Sequence, residues 1–145
     1  PTAQPGQIGG VLPDGQVVVP GHRKRLIDLR PALILVVPPR CRCGSTVNEL
    51  SRQAHEYRIG FYLVADQRAT TVSAEQWTRD MRDLAAAARY GVAIVAEDAK
   101  AVLATTYQTA GLTAVLVHAD GVVDEVLRGL SALPRLERRL EQLQS

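Results

Sequence analysis

Ala32-Leu33-Ile34-Leu35-Val36-Val37-Pro38-Pro39-Arg40-Cys41-Arg42-Cys43 is an apolar run that stops at two prolines and leads directly into a cysteine pair. The run is short and rich in β-branched residues, which predicts a buried strand rather than a helix. Beyond Cys43, Val47, Leu50 and Ala54 recur at helical spacing, with Ser51, Arg52 and His55 on other faces. That pattern predicts a helix over about 44–57. Cys41 and Cys43 are the only cysteines, and they fall in the loop joining strand to helix. A helix N-terminus carries partial positive charge and free N–H groups, and both favour a thiolate. The junction is therefore the candidate reactive site.

Working outward, Phe61-Tyr62-Leu63-Val64-Ala65 is a second continuous apolar run ending at Asp66, as expected of a central strand covered on both faces. Ser73 with Gln76 predicts the capped start of a helix reaching about Arg89, with Gly91 closing it. Residues 92–96 predict a third buried strand, and Asp98 opens a helix to about 109, closed by Gly111. Residues 113–118 and Val122-Val123 flank Asp120-Gly121, a tight-hairpin signal. A last helix begins near Pro134 and carries Leu136, Leu140 and Leu143 on one face. Glu137, Arg138, Arg139 and Glu141 make its solvated side. Ahead of the cysteine strand, Val11-Leu12 and residues 16–19 flank Asp14-Gly15, which predicts an N-terminal hairpin followed by a polar connection over 21–30. The alternation predicts an α/β domain with a mixed central sheet flanked by helices, its first strands parallel and its last pair antiparallel.

With 145 residues the chain accommodates one cored domain, expected over 8–145 behind a flexible Pro- and Gly-rich tail at 1–7. It is 46% hydrophobic, 22% charged and only 4% aromatic, so the core rests on Leu, Val, Ile and Ala. A formal charge of +2 is too small to imply nucleic acid. The basic stretch His22-Arg23-Lys24-Arg25 has no interleaved aromatics to stack bases, and reads as a solvated loop. Two cysteines build neither a disulfide framework nor a structural zinc site. No apolar stretch approaches the roughly 20 residues that span a bilayer. The opening at Pro1 is that of a trimmed tail, so a signal peptide or anchor is expected outside this sequence.

The order and spacing of these pieces resemble the thioredoxin-like superfamily, in particular its membrane-tethered, extracytoplasmic thiol–disulfide oxidoreductases with an N-terminal β-hairpin extension. The likeness spans about 8–143. Leu12-Pro13-Asp14-Gly15 resembles the opening hairpin, and Leu26-Ile27-Asp28-Leu29-Arg30 the lead-in to the central strand. The run from Ala32 to Cys43 resembles the strand and active-site loop. Tyr90-Gly91-Val92 and Val117-His118-Ala119-Asp120-Gly121-Val122 resemble later elements. The resemblance implies a thioredoxin-like fold, dithiol–disulfide exchange, protein thiols or disulfides as partners, no cofactor, and a tether in a segment absent from this chain. It places Cys41 as the attacking and Cys43 as the resolving cysteine, and puts Leu112 and Thr113 in the substrate-facing loop. Three departures stand out. Only Arg42 separates the cysteines where the family has two residues. Arg40 replaces an aromatic. Ala110-Gly111-Leu112-Thr113 lacks the family's cis-proline, and a cis bond before Thr113 would cost about 3 kcal/mol, so a trans bond is expected.

Several readings of the pair stand side by side. As a redox site, Cys41 between Arg40 and Arg42 loses its proton readily, attacks a disulfide, and is released by Cys43. A bridge across one residue closes a small, strained ring, which is easier to reduce than a wider one. As a remnant, the same loop sits on a redox-silent binding module. As a metal site, two thiolates suit copper(I), although His22, His55 and His118 read as surface or hairpin histidines and no metal is expected. The pattern of the fold's peroxidases is missing, since Thr46 follows the cysteines instead of preceding them. Trp77, Met81 and Leu84 read as a core stripe. Asp66 reads as a loop cap, with proton transfer near the cysteines as its alternative.

Overall fold

The computed structural model describes residues 3–144. Its strands are β1 (Gln16–Val19), β2 (His22–Arg25), β3 (Ala32–Val37), β4 (Gly60–Ala65), β5 (Ala93–Val95), β6 (Thr113–Val117) and β7 (Val123–Leu127). The helices are α1 (Gly44–Glu56), α2 (Ala74–Ala87), α3 (Val102–Thr106) and α4 (Glu137–Gln142), with one 3-10 turn at Leu26–Asp28.

All six residues of β3 are buried, which requires partners at both edges and cover on both faces. β3 supplies the centre of a five-stranded sheet ordered β5-β4-β3-β6-β7. It runs parallel to β4 and antiparallel to β6, with Val37 opposite Ala65 and Val36 opposite Thr113. Its alternate residues face opposite layers. Leu33, Leu35 and Val37 pack with Val47 and Leu50 of α1, Trp77 and Met81 of α2, and Leu140 of α4. Ala32, Ile34 and Val36 pack with Val17 and Val19 of β1, Leu26, and Leu103 of α3. The result is a mixed sheet between three helices on one face and a hairpin plus α3 on the other.

The parallel strands β3 and β4, the antiparallel β6–β7 hairpin around Asp120-Gly121, and the Trp77-Met81-Leu84 stripe match the expectations from sequence. Ser73 Oγ accepts the backbone N–H of Gln76 as predicted.

Several details differ. The N-terminal hairpin is present but lies one strand later, β1 pairing with β2 around Pro20-Gly21. Proline fixes the first turn position and Gly21, at φ 89°, takes the second. Val11 instead bridges Val122. The basic stretch 22–25 is thus a largely exposed strand, not a loop. β5 is a half-buried edge strand rather than a fully buried one, because no strand among the described residues continues the sheet beyond it along its length. Asp98 does cap a helix, accepting N–H from Val102 (3.0 Å) and Leu103 (2.9 Å). That helix starts only at Val102, since Ala101 adopts a left-handed conformation at φ 50°. α2 ends at Ala87, so Gly91 lies beyond its cap.

Of the expected tail 1–7, residues 1 and 2 lie outside the described residues. Within the rest, Gly6 N–H bonds Val11 O at 2.9 Å.

Candidate functional site

The carboxyl ends of β3, β4 and β5 and the start of β6 share one end of the sheet, where sites of open α/β folds gather. There β3 feeds Pro38-Pro39, and Arg40 turns the chain at φ 57°. Cys43 is the N-cap residue of α1, and its carbonyl accepts the N–H of Val47 at 2.9 Å. Cys41 and Cys43 are joined by a disulfide with Cα atoms 5.2 Å apart, inside the usual range for such bonds. Both are half-buried and rest on the apolar layer beneath the helices. Arg40 and Arg42 are exposed, and among the described residues neither forms a salt bridge.

The β3–β6 register brings loop 110–113 to the same end. Leu112 is buried in the apolar layer that the cysteines touch, and Thr113 is wholly buried. The Thr113 hydroxyl is used within its own loop, donating towards Ala110 O and Gly111 O, each at 3.2 Å. Among the described residues the only cis peptide bond is Arg30–Pro31, so the bond before Thr113 is trans, as expected.

Segment 128–136, between β7 and α4, was not legible as part of this region. Gly129 N–H bonds Ala110 O at 3.0 Å and Leu130 N–H bonds Leu112 O at 2.9 Å. The segment then crosses to α1, where the Thr46 hydroxyl donates to Ala132 O at 2.8 Å. Gln53, fully buried, donates to Pro134 O (2.8 Å) and accepts Leu136 N–H (2.9 Å). One signal was available: Gln53 follows Leu50 by one helical turn, a polar residue on the apolar face of α1.

Asp66 N–H bonds Val37 O at 2.9 Å, which sets it beside the start of the cysteine loop. Its carboxylate accepts Arg68 N–H (3.0 Å), Nε (2.9 Å) and Nη2 (2.7 Å), and Arg68 Nη2 also reaches Thr109 O at 2.6 Å. Burial works to raise the Asp66 pKa, but the Arg68 hydrogen bonds outweigh it and hold the carboxyl below its usual range. An acid kept ionised in this way caps the loop and is poorly placed to shuttle protons.

The histidines lie elsewhere. His118 follows the end of β6 that pairs with Ala32, opposite the cysteines, and its Nε2 sits 3.0 Å from Asp124. His55 stands against Gly91, and His22 is on β2. Among the described residues there is no group of three His, Cys, Asp or Glu side chains able to hold a metal ion.

No protein-family model matches the sequence, and no curated protein matches it. Solved structures do resemble it. A thio-disulfide isomerase from Thermus thermophilus is 21% identical, with a TM-score of 0.65 over 86% of this chain and 88% of that one. The MTB dsbF protein, in mixed oxidised and reduced forms, is 18% identical, with a TM-score of 0.67 over 98% and 100%. A secreted Mycobacterium tuberculosis disulfide oxidoreductase, homologous to E. coli DsbE, is 16% identical, with a TM-score of 0.61 over 90% and 93%. The architecture of this chain is accordingly thioredoxin-like.

Proposed function

From a thioredoxin-like fold with a Cys-x-Cys pair at its β3–α1 junction, we propose that the protein is a thiol–disulfide oxidoreductase acting on protein thiols or disulfides. In the reduced form the Cys41 thiolate attacks one sulfur of a substrate disulfide, and the other substrate sulfur leaves as a thiolate. The Cys43 thiolate then attacks Cys41 Sγ, which releases the second substrate thiolate and leaves the Cys41–Cys43 bridge. Two electrons pass to the substrate, and the reverse sequence returns them. Arg40 and Arg42 stabilise the thiolate by charge, together with the N-terminus of α1. Loop 110–113 is the surface that faces the substrate. With both side chains of Leu112 and Thr113 buried, contact there falls to the backbone.

The observation that carries this reading is a half-buried disulfide flanked by two exposed arginines that form no salt bridge among the described residues, where a structural disulfide would staple distant segments. Action outside the cytoplasm is supported by the secreted neighbour and by the oxidising compartments in which such bonds persist. No helix among the described residues is long and apolar enough to cross a membrane, and the tether in this proposal is a segment outside this chain. Residues 8–145 serve as the catalytic unit.

A second reading, a redox-silent binding module, has one observation in its favour. The carbonyls of Ala110 and Leu112 are already taken by Gly129 and Leu130, which narrows what the loop can offer a substrate strand. A trapping experiment separates the two. The reduced Cys43→Ser variant mixed with a disulfide-bonded peptide is expected to accumulate a mixed disulfide on Cys41, seen by mass spectrometry, whereas Cys41→Ser accumulates none. Absence of any adduct on Cys41 favours the silent module.

A further inference from the structure

Segments 38–48, 110–113 and 129–134 are tied together at the apolar layer on which the disulfide rests. Across all three the only charged side chains are Arg40 and Arg42; of the two cations that border the last segment, Arg128 is held by Gln108 O and Tyr107 O, and Arg135 lies exposed just beyond it. Both are exposed and neither is ion-paired among the described residues. The nearest acids along the flanking elements are committed elsewhere, Glu49 to Arg52 at 2.6 Å and Asp66 to Arg68 at 2.7 Å. Arg40 moreover holds a left-handed backbone at φ 57°, a conformation that Gly or Asn adopts at lower cost. Among the described residues no partner uses its guanidinium. The rest of these segments is apolar, small or uncharged polar, with Leu133 71% exposed, and offers a polypeptide contact without a negative charge.

Resting on the exchange chemistry proposed above, we infer that Arg40 and Arg42 select the substrate: a polypeptide segment whose reactive cysteine is flanked by carboxylates. The arginines meet Asp or Glu on either side of the incoming sulfur, and the complementary charges raise the encounter rate and set its orientation. In the oxidised protein a thiolate of that segment attacks Cys41 Sγ and the Cys43 sulfur leaves as a thiolate. A second thiol of the same segment then displaces Cys41, so the substrate is oxidised by two electrons as the protein is reduced.

The test uses the oxidised wild-type chain and three dithiol peptides that differ only in Glu, Gln or Lys flanks, with dithiothreitol as an uncharged reference. Rates are referred to each peptide's own thiolate fraction. The Glu-flanked peptide is expected to react about tenfold faster than the Lys-flanked one at low ionic strength. That ratio should fall towards one in high salt, where the screening length shrinks to about 3 Å. In the Arg40→Asn, Arg42→Gln variant it should fall towards one even at low salt. Equal rates, a preference for Lys flanks, or a preference insensitive to salt would overturn the inference while dithiothreitol still opens the bridge. A bridge that dithiothreitol cannot open in the folded protein would remove the exchange reading itself, and the inference with it.

Discussion

At the scale of single residues, charge and polarity are settled pairwise. Asp66 titrates below its usual range when folded because Arg68 binds its charged form. Its folded pKa is therefore lower than its unfolded one, so the pair's stabilisation is complete above the unfolded value of about 4 and disappears as pH falls through the folded value. Asp66→Asn is expected to cost about 1 kcal/mol at neutral pH, discounted for the partly exposed Arg68, and nothing once both states are protonated. Denaturant midpoints measured against pH check this, and a gap that persists unchanged into acid contradicts it. Tyr107 presents the opposite case. Its hydroxyl is buried without a hydrogen-bond partner among the described residues, and burial pushes its pKa up to about 12. Tyr107→Phe should therefore leave stability unchanged or raise it by up to about 1 kcal/mol in thermal unfolding. The cysteine pair was legible in the sequence because nothing else in the chain shares its chemistry. Whether Arg40 and Arg42 were spoken for was not, since ion pairing depends on folded neighbours.

At the scale of elements, local pattern and long-range contact part company. The apolar run of β3 and the stripe of α1 follow from periodicity, so their existence and bounds could be read directly. The clasp between α1 and segment 128–136 could not, because Gln53 meets partners 81 and 83 residues away. Gln53→Ala leaves the Pro134 carbonyl and Leu136 N–H buried and unpaired, which should cost about 2–3 kcal/mol. Urea unfolding should show a lower midpoint with an unchanged slope. A loss below about 0.5 kcal/mol would mean that the clasp is incidental. The first hairpin was misplaced for a related reason. Asp14-Gly15 and Pro20-Gly21 are both good turns, and only the burial of Val17 and Val19 against the sheet decides which of them closes β1 onto a partner.

For the molecule as a whole, the fold is expected to survive reduction of the Cys41–Cys43 bridge. The loop that the disulfide closes contains a single intervening residue, so chain entropy credits it with less than about 2 kcal/mol. The core of Leu33, Leu35, Leu50 and Leu63 carries far more, and Leu35→Ala should cost about 2–5 kcal/mol in equilibrium unfolding. A reduced form that stays folded is what a reversible redox cycle requires. Layering and strand direction were legible because alternation of apolar runs and amphipathic stretches dictates them. The edge position of β5 was not, since burial of a short apolar strand depends on what lies beside it.

The most direct measurement is to equilibrate the native protein across dithiothreitol redox ratios at neutral pH, alkylate the free thiols and count them by mass while circular dichroism follows the fold. A thiol–disulfide oxidoreductase predicts full reversibility, unchanged secondary structure and modification of Cys41 before Cys43. A bridge that opens only when guanidinium has unfolded the chain would contradict the account.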